Sequence, residues 1–146
     1  MPSLYLTESR NDNDLAKQLG SSAIRCPIPH CDILFFGQSD TDEPLRVGCE
    51  RKKIGDMVNS IFGGRYLYQA QCAKESGIDV LCLIVEGKVR ASPKDGLLET
   101  LSWGIDSRTF HRRLFYQPTK PAITYSRFDQ YLTELDYLAG VIVKRS

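Results

Sequence analysis

The sequence predicts an α/β fold: a mixed β-sheet that contains a central hairpin and is flanked by helices on both faces. Two stretches, 32–36 and 78–85, have the length and the branched or aromatic content of buried strands. The second stretch is interrupted only by Asp79, which suits a strand covered on both sides. Between the two, apolar residues recur at helical spacing from Ile54 to Ile61, which predicts an amphipathic helix packed on the sheet.

The remaining elements follow from capping and turn residues along the chain. Before the hairpin we predict a strand at 4–7, a short helix capped by the polar cluster 11–14 and ended by Gly20, and a strand at 23–26. After the Gly63-Gly64 break we predict a helix at 65–75, a helix running from a capping box at 126–129 to Gly140, and a final strand at 141–143.

The segment 87–125 admits two interpretations. Arginines near 108–113 interleave with aromatic residues, and the favoured interpretation is an amphipathic helix with Phe110 and Leu114 in the core. The alternative is a surface that holds a nucleic-acid backbone and stacks exposed bases. Trp103 is expected in the core.

Composition fits one globular domain over 1–146, with 42% hydrophobic and 25% charged residues. The net charge is +1, so a surface that binds phosphate must come from local clustering rather than from overall basicity. We expect neither a secretory signal nor a transmembrane segment. The five cysteines lack framework spacing and are expected to be reduced, in an intracellular protein of the cytoplasm or nucleus.

The hairpin brings two acids together. Residues 37–44 are predicted to form its turn and 45–52 its returning strand. Paired positions in an antiparallel hairpin have a constant sum, so a turn centred near Thr41 places Asp32 opposite Glu50, with Cβ atoms about 5 Å apart. Because side chains alternate along a strand, Glu50 and Lys52 share one face and Arg51 points to the other.

Two adjacent carboxylates repel each other unless a cation lies between them, and carboxylate oxygens are ligands for Mg²⁺ or Mn²⁺. The pattern suits metal-dependent phosphodiester cleavage, in which acids hold the cation and an amine lowers the charge on the attacking water or the phosphate. The alternative is a pair of solvated charges on an exposed strand. For Asp56, in the first turn of the following helix, favourable interaction with the helix dipole and a role in the site both remain open.

At these residues the chain resembles the XPF-type structure-specific endonuclease domain, a branch of the PD-(D/E)xK nuclease superfamily. The centre of that family reads Gly-Asp, a strand, Glu-Arg-Lys-x-x-x-Asp and a helix, followed by Gly-Arg and a nearby Gln. The matching residues here are Asp32, Glu50, Arg51, Lys52, Asp56, Gly64, Arg65 and Gln69. The family also opens with a strand ending Asp-x-Arg-Glu, where this chain has Glu8-Ser9-Arg10-Asn11, and Cys31 replaces the glycine before Asp32.

The resemblance implies a restriction-endonuclease-like architecture and a metal-dependent endonuclease that cuts branched, flapped or junction DNA. Asp32 and Glu50 would ligate Mg²⁺ or Mn²⁺ with Glu8 as a further acid, and Lys52 would position or activate the attacking water. The residues implied to act with these in catalysis are Arg51 and Asp56. The residues implied to contact nucleic acid are Arg10, Lys53, Arg65 and Gln69.

The resemblance also implies a homodimer or a heterodimer with a related subunit. No tandem helix-hairpin-helix module is recognised in the sequence. The competing hypothesis is a non-catalytic DNA-binding or dimerisation scaffold of the same fold that acts beside an active partner. The altered opening motif and the near-neutral charge favour that alternative.

Overall fold

The computed structural model describes residues 4–9 and 12–146. A mixed six-stranded sheet, here called the main sheet, forms the centre of the fold. The strands are β1 (Leu4–Leu6), β2 (Ala23–Arg25), β3 (Ile33–Gln38), β4 (Pro44–Lys53), β5 (Val80–Glu86), β6 (Val89–Ala91), β7 (Leu98–Ile105), β8 (Arg112–Pro118) and β9 (Val141–Arg145). The helices are α1 (Asn13–Leu19), α2 (Ile54–Gly63), α3 (Arg65–Glu75) and α4 (Tyr125–Tyr137).

The main sheet has the order β2-β1-β3-β4-β5-β9, so the β3–β4 hairpin lies at its centre. The hairpin is antiparallel, whereas β4, β5 and β9 run parallel to one another. Strand β1 joins the two kinds of pairing, because it is antiparallel to β3 and parallel to β2. The predicted mixed sheet with a central hairpin is therefore confirmed.

The register of the hairpin is also the predicted one. Its ladder runs from Ile33 paired with Cys49 to Gln38 paired with Pro44, which is the offset on which the prediction for Asp32 and Glu50 was based. The Asp32 amide donates to the Cys49 carbonyl at 2.9 Å, so Asp32 adjoins the last pair of the ladder, Ile33 with Cys49. The turn is shorter than predicted, because strand pairing includes Gln38 and Pro44.

Helices cover both faces of the main sheet, as predicted. On one face, α2 and α4 bury Met57, Val58 and Phe128 completely against β5 residues such as Leu83. On the other face, the short α1 packs its apolar residues on a smaller cluster of Leu6, Ile33 and Cys49. Among the described residues, no helix is long and apolar enough to cross a membrane.

Helix boundaries follow local backbone chemistry. Gly64, with φ of 64°, occupies the left-handed conformation between α2 and α3, which glycine adopts without steric cost. Helix α4 begins two residues earlier than the predicted capping box, because the Thr124 side chain accepts the Arg127 amide at 3.1 Å. It ends at Tyr137 rather than at Gly140.

The favoured interpretation of residues 108–116, within the segment 87–125, as an amphipathic helix is wrong. Strands β6, β7 and β8 form a separate antiparallel sheet, here called the small sheet. Its apolar residues alternate with period two, and much of that face lies in water: Trp103 is 60% exposed and Leu114 47%. Phe110, in the turn between β7 and β8, is 82% exposed. The expectation that these residues lie in the core is therefore also wrong.

Candidate active site

A polar cleft of about 1020 Å³ lies where β4 and β5 end and α2 begins. Ten of its thirteen lining residues are acidic or basic, and the lining set is Asp12, Asp14, Asp32, Glu50, Arg51, Lys52, Lys53, Asp56, Ser60, Arg65, Tyr68, Gln69 and Glu86. The cleft thus collects most of the residues that the sequence motif singled out, from β4, α2, α3 and the residue before β3.

Asp32 and Glu50 form the acidic centre of the cleft. Burial raises the pKa of Asp32, an effect that the hydrogen bond from the Arg51 amide to Asp32 Oδ2, 2.7 Å long, opposes. Burial raises the pKa of Glu50 to about 7, and the charge of Asp32 raises it further whereas Lys52 lowers it. Each carboxylate therefore lies in surroundings that favour a nearby positive charge.

Lys52 supplies one such charge from the same face of β4 as Glu50. Its Nζ lies 3.7 Å from Glu50 Oε1, and it is 6.0 Å from the centre of the buried Tyr66 ring. Only 13% of the Lys52 side chain is exposed, so the ammonium is held beside the acids rather than in bulk solvent. The predicted alternation along β4 is confirmed for this pair.

Arg51 points to the opposite face, also as predicted, and its guanidinium is occupied by three acids. Nε lies 2.6 Å from Glu86 Oε1, one terminal nitrogen 2.9 Å from Asp12 Oδ1 and the other 3.3 Å from Asp14 Oδ2. The Glu86 carboxylate and, to a smaller extent, that of Asp14 raise the pKa of Arg51, so it stays charged. Arg51 thereby connects the start of α1 to the ends of β4 and β5.

Asp12 was missed as a cleft residue in the sequence analysis, which assigned the cluster 11–14 to helix capping. Its side chain makes no capping hydrogen bond to α1, and it is only 3% exposed. Oδ1 pairs with Arg51, whereas the buried Oδ2 has no hydrogen-bond partner among the described residues. The Asp12 charge raises the pKa of both Asp32 and Glu50, so it belongs to the same electrostatic site.

The remaining motif residues fall into two groups. Lys53, Asp56, Arg65 and Gln69 are solvent-exposed and line the cleft, with Asp56 in the first turn of α2. Glu8 is exposed and is not among the cleft-lining residues, so the structure does not bring it to the acidic centre. Arg10 lies outside the described residues.

The donor set of the cleft fits Mg²⁺ or Mn²⁺. Within 4–9 and 12–146, no group of three or more His, Cys, Asp or Glu side chains is arranged to hold a metal ion. Mg²⁺, however, is commonly bound by one or two carboxylates and completes its shell with waters and substrate phosphates. The half-buried, mutually repelling carboxylates of Asp32 and Glu50, with the unpaired Asp12 Oδ2 in the same cleft, meet that requirement.

The mixed sheet with a central hairpin and helices on both faces is the architecture of the XPF nuclease fold. Residues 6–136 match the family model of the ERCC4 domain, and the chain belongs to that family. Over 93 residues it is 31% identical to the crossover junction endonuclease MUS81 of Candida albicans. That similarity covers 59% of this chain and 15% of the relative, so the chain spans a small part of that protein.

Two solved structures share the fold. XPF from Aeropyrum pernix in complex with DNA superposes with a TM-score of 0.59 at 18% identity, over 100% of this chain and 56% of that chain. XPF from Aeropyrum pernix alone gives a TM-score of 0.57 at 20% identity, over 99% of this chain and 56% of that chain. The chain therefore spans about half the length of these structures.

Proposed function

We propose that the chain is a metal-dependent DNA endonuclease that hydrolyses phosphodiester bonds in branched, flapped or junction DNA. The observation that carries the proposal is the pair of half-buried carboxylates, Asp32 and Glu50, beside the half-buried Lys52 ammonium in an open cleft. Membership in the ERCC4 family and the name of the similar protein, a crossover junction endonuclease, support the substrate class.

Each residue of the centre has a role that its surroundings allow. Asp32 and Glu50 would hold Mg²⁺ or Mn²⁺ through their oxygens, with Asp12 adding negative charge behind them. A bound ion would supply Lewis-acid stabilisation of the phosphate and a nucleophile at neutral pH. Lys52 would orient the attacking water and stabilise the charge that develops on the phosphate, because its ammonium is held beside the acids.

The rim of the cleft would hold the DNA backbone. Lys53 and Arg65 are exposed cations on the cleft wall, and Gln69 adds an amide that can donate to a phosphate oxygen. Asp56 would act by limiting how closely a phosphate approaches the start of α2, where the helix dipole is positive. Arg51 would position the site rather than touch the substrate, since three acids occupy it.

The test is a cleavage assay on duplex, single-stranded, flapped and four-way DNA in Mg²⁺, Mn²⁺ or EDTA. Wild type should cut a branched substrate only with metal, and Lys52→Ala, Asp32→Asn and Glu50→Gln should each lower the rate by about 100-fold or more. Lys144→Met, which removes an exposed lysine on β9 away from the cleft, is the matched control and should cut at the wild-type rate. Metal-dependent cutting that persists in Lys52→Ala would overturn the proposed role of the lysine.

One observation favours the scaffold as a second candidate. The described residues assemble two acids with a lysine but not a third metal-binding side chain beside them, and Glu8 lies outside the cleft. A scaffold of this fold would bind branched DNA tightly in EDTA and cut it at no metal concentration. The same assay, read for binding as well as cutting, therefore separates the two candidates.

We also propose that the chain self-associates. Tyr137 and Leu138, at the end of α4, are 84% and 83% exposed, and Ile142 on the edge strand β9 is 44% exposed. An exposed apolar patch beside a sheet edge fits contact with a second copy. Light scattering should give twice the monomer mass at micromolar concentration, and Leu138→Ser should shift it to the monomer value. A wild-type monomer at all concentrations would contradict this.

A further inference from the structure

The small sheet presents one aromatic face to solvent. Directly opposite residues of an antiparallel pair share a face, and the pairs on this face are Leu101 with Tyr116, Trp103 with Leu114 and Ile105 with Arg112. Trp103 and Ile105 are 60% and 66% exposed. A run of apolar and aromatic side chains left in water on one face of a strand pair is unusual unless a ligand covers it.

The opposite face of the small sheet is packed at Leu98 and at Phe115. Leu98 is fully buried in the main core, and the Phe115 ring lies so close over Gly104 that a Cβ there would come within 2.5 Å of it. These contacts hold β7 and β8 in place on the face opposite Trp103. Trp103 and Tyr116 consequently stand on a supported surface rather than on a loose loop.

Two arginines border the aromatic side chains of this face. The guanidinium carbon of Arg90 lies 4.3 Å from the centre of the Tyr116 ring, and that of Arg112 lies 5.7 Å from the Trp103 ring. Arg90 is also bonded to Glu99 at 2.8 Å. Arg112, in contrast, has no acidic partner within ion-pair distance among the described residues, so its charge is available to a ligand.

The segment 87–120 carries a net positive charge, which complements a polyanion. Residues 87–120 contain seven Lys or Arg and three Asp or Glu, a net charge of +4 in a chain whose total is +1. The rest of the chain is therefore net −3. The local clustering that a phosphate-binding surface requires thus lies on the small sheet and its turns.

The small sheet begins at the edge of the cleft. Strand β5 ends at Glu86, which lines the cleft and bonds Arg51, and β6 starts at Val89. The connecting Gly87 lies against α2, since a Cβ there would be 2.9 Å from Ile54 Cγ1. A strand of DNA that leaves the cleft on this side can therefore pass directly onto the small sheet.

We propose that the aromatic face of the small sheet binds single-stranded DNA, with unpaired bases stacked on Trp103 and Tyr116 and a phosphate held by Arg112. Aromatic side chains combined with arginine are the usual surface for single strands, because every base has a face to stack. The bases of a duplex are already stacked on each other, so the ligand is the unpaired arm of a branched substrate. The inference rests on the proposed function only for the choice of DNA.

Trp103 is the sole tryptophan of the chain, so selectively excited tryptophan fluorescence reports on this face alone. In EDTA, titration with a short oligothymidylate should quench the fluorescence of wild type and of Lys52→Ala equally, and duplex of the same length should quench it less. With a labelled oligothymidylate, Trp103→Leu and Tyr116→Leu should each weaken binding by about 5- to 150-fold. Phe62→Leu, which removes an exposed aromatic at the end of α2 outside the cleft, is the matched control and should bind like wild type.

Arg112→Gln separates the electrostatic contribution to DNA binding from effects on folding. It leaves both aromatic rings in place and should reduce the salt dependence of log K by about 0.7, the value for one phosphate contact on a single strand. Quenching that depends on protein concentration rather than on DNA would show that a second copy covers the face, and would overturn the inference. Lys52-dependent cleavage without quenching by single strands would overturn this inference alone, whereas quenching without any cleavage would overturn only the proposed enzyme.

Discussion

Arg51 shows how one residue can serve the site without touching substrate. It pairs with a deeply buried acid, Asp12, and with an acid whose side chain is 63% exposed, Asp14. Removal of Asp12 and removal of Asp14 should have different effects on stability. Without Asp12, the Arg51 guanidinium loses a partner that is shielded from water. The pair of Arg51 with Asp14 is screened by water and contributes little to stability.

This contrast gives a matched pair of variants. Asp12→Asn should lower the free energy of unfolding by about 1–3 kcal/mol, because it weakens a buried charge-assisted hydrogen bond. Asp14→Asn, which removes a charge from the same arginine, should cost much less, because water screens that exposed pair. Urea denaturation of both variants and of wild type measures the difference, and equal losses would show that burial of Asp12 is not what stabilises the contact.

Glu50 makes stability depend on pH in the protein without metal. Its pKa is raised from 4.5 to about 7 in the fold, mainly by burial, so the folded state binds more protons than the unfolded state between these values. Stability that is present below pH 4.5 is therefore lost as the pH rises through about 7, by about 3 kcal/mol. In EDTA, Glu50→Gln should remove most of this slope and should be more stable than wild type at pH 8.

Thermal unfolding at several pH values checks the Glu50 slope. Glu43→Gln, which removes an exposed acid in the hairpin turn, should keep the wild-type slope. Adding Mg²⁺ at pH 8 should stabilise wild type and leave Glu50→Gln nearly unchanged. A wild-type slope of the opposite sign would mean that the fold favours the ionised form of Glu50.

At the scale of one residue, the sequence predicted Asp32, Glu50 and Lys52 because their relation depends only on strand alternation and a constant sum in the hairpin. It did not predict Asp12, because the partner of that acid is 39 positions away in the chain. Local signals favoured helix capping for the cluster 11–14. Only the tertiary fold brings Asp12 against Arg51.

At the scale of the element, the hairpin keeps its register because β4 fits closely against its neighbours. A Cβ on Gly48 would lie 2.9 Å from Ile78 Cδ1 and 3.3 Å from Cys31 sulfur. Gly48→Ala should therefore destabilise the protein by about 1–3 kcal/mol. Gly37→Ala, in the same hairpin, meets only Val47 Cγ2 at an ordinary 3.7 Å and should be nearly neutral.

Adding Ile78→Val to Gly48→Ala checks that the clash is the cause. Removing Cδ1 should restore part of the lost stability, while Cγ2, 3.1 Å from the added Cβ, keeps the rescue incomplete. Denaturation of the single and double variants measures this coupling. Purely additive losses would exclude the contact with Ile78 as the cause.

The small sheet is the element that the sequence predicted wrongly. Its apolar residues alternate as in a strand, but they face water, so an argument that places apolar residues in a core fails there. The spacing of Phe110 and Leu114 also fits one turn of a helix. Phe110 instead has φ of 58° in the turn before β8, where the Asp106 carbonyl accepts the Phe110 amide at 2.8 Å.

At the scale of the whole molecule, charge is divided between two regions. The cleft gathers acids at its centre, whereas the net positive charge lies on the segment 87–120 beside it. The acids of the cleft and the positive charge of 87–120 can each be recognised in the sequence as a local pattern. Their adjacency cannot, because it depends on β5 ending at the cleft and the small sheet starting there.

This adjacency predicts that the small sheet sets the preference for branched DNA. Trp103→Leu should lower kcat/KM for a flapped substrate by about tenfold, because the unpaired arm loses its stacking contact. The rate on a nicked duplex without an unpaired arm should change by less than about twofold, since the cleft itself is intact. Competition cleavage of the two substrates in one reaction, with Phe62→Leu as control, measures the ratio directly. Equal loss on both substrates would mean that Trp103 supports the fold of the cleft rather than the choice of substrate.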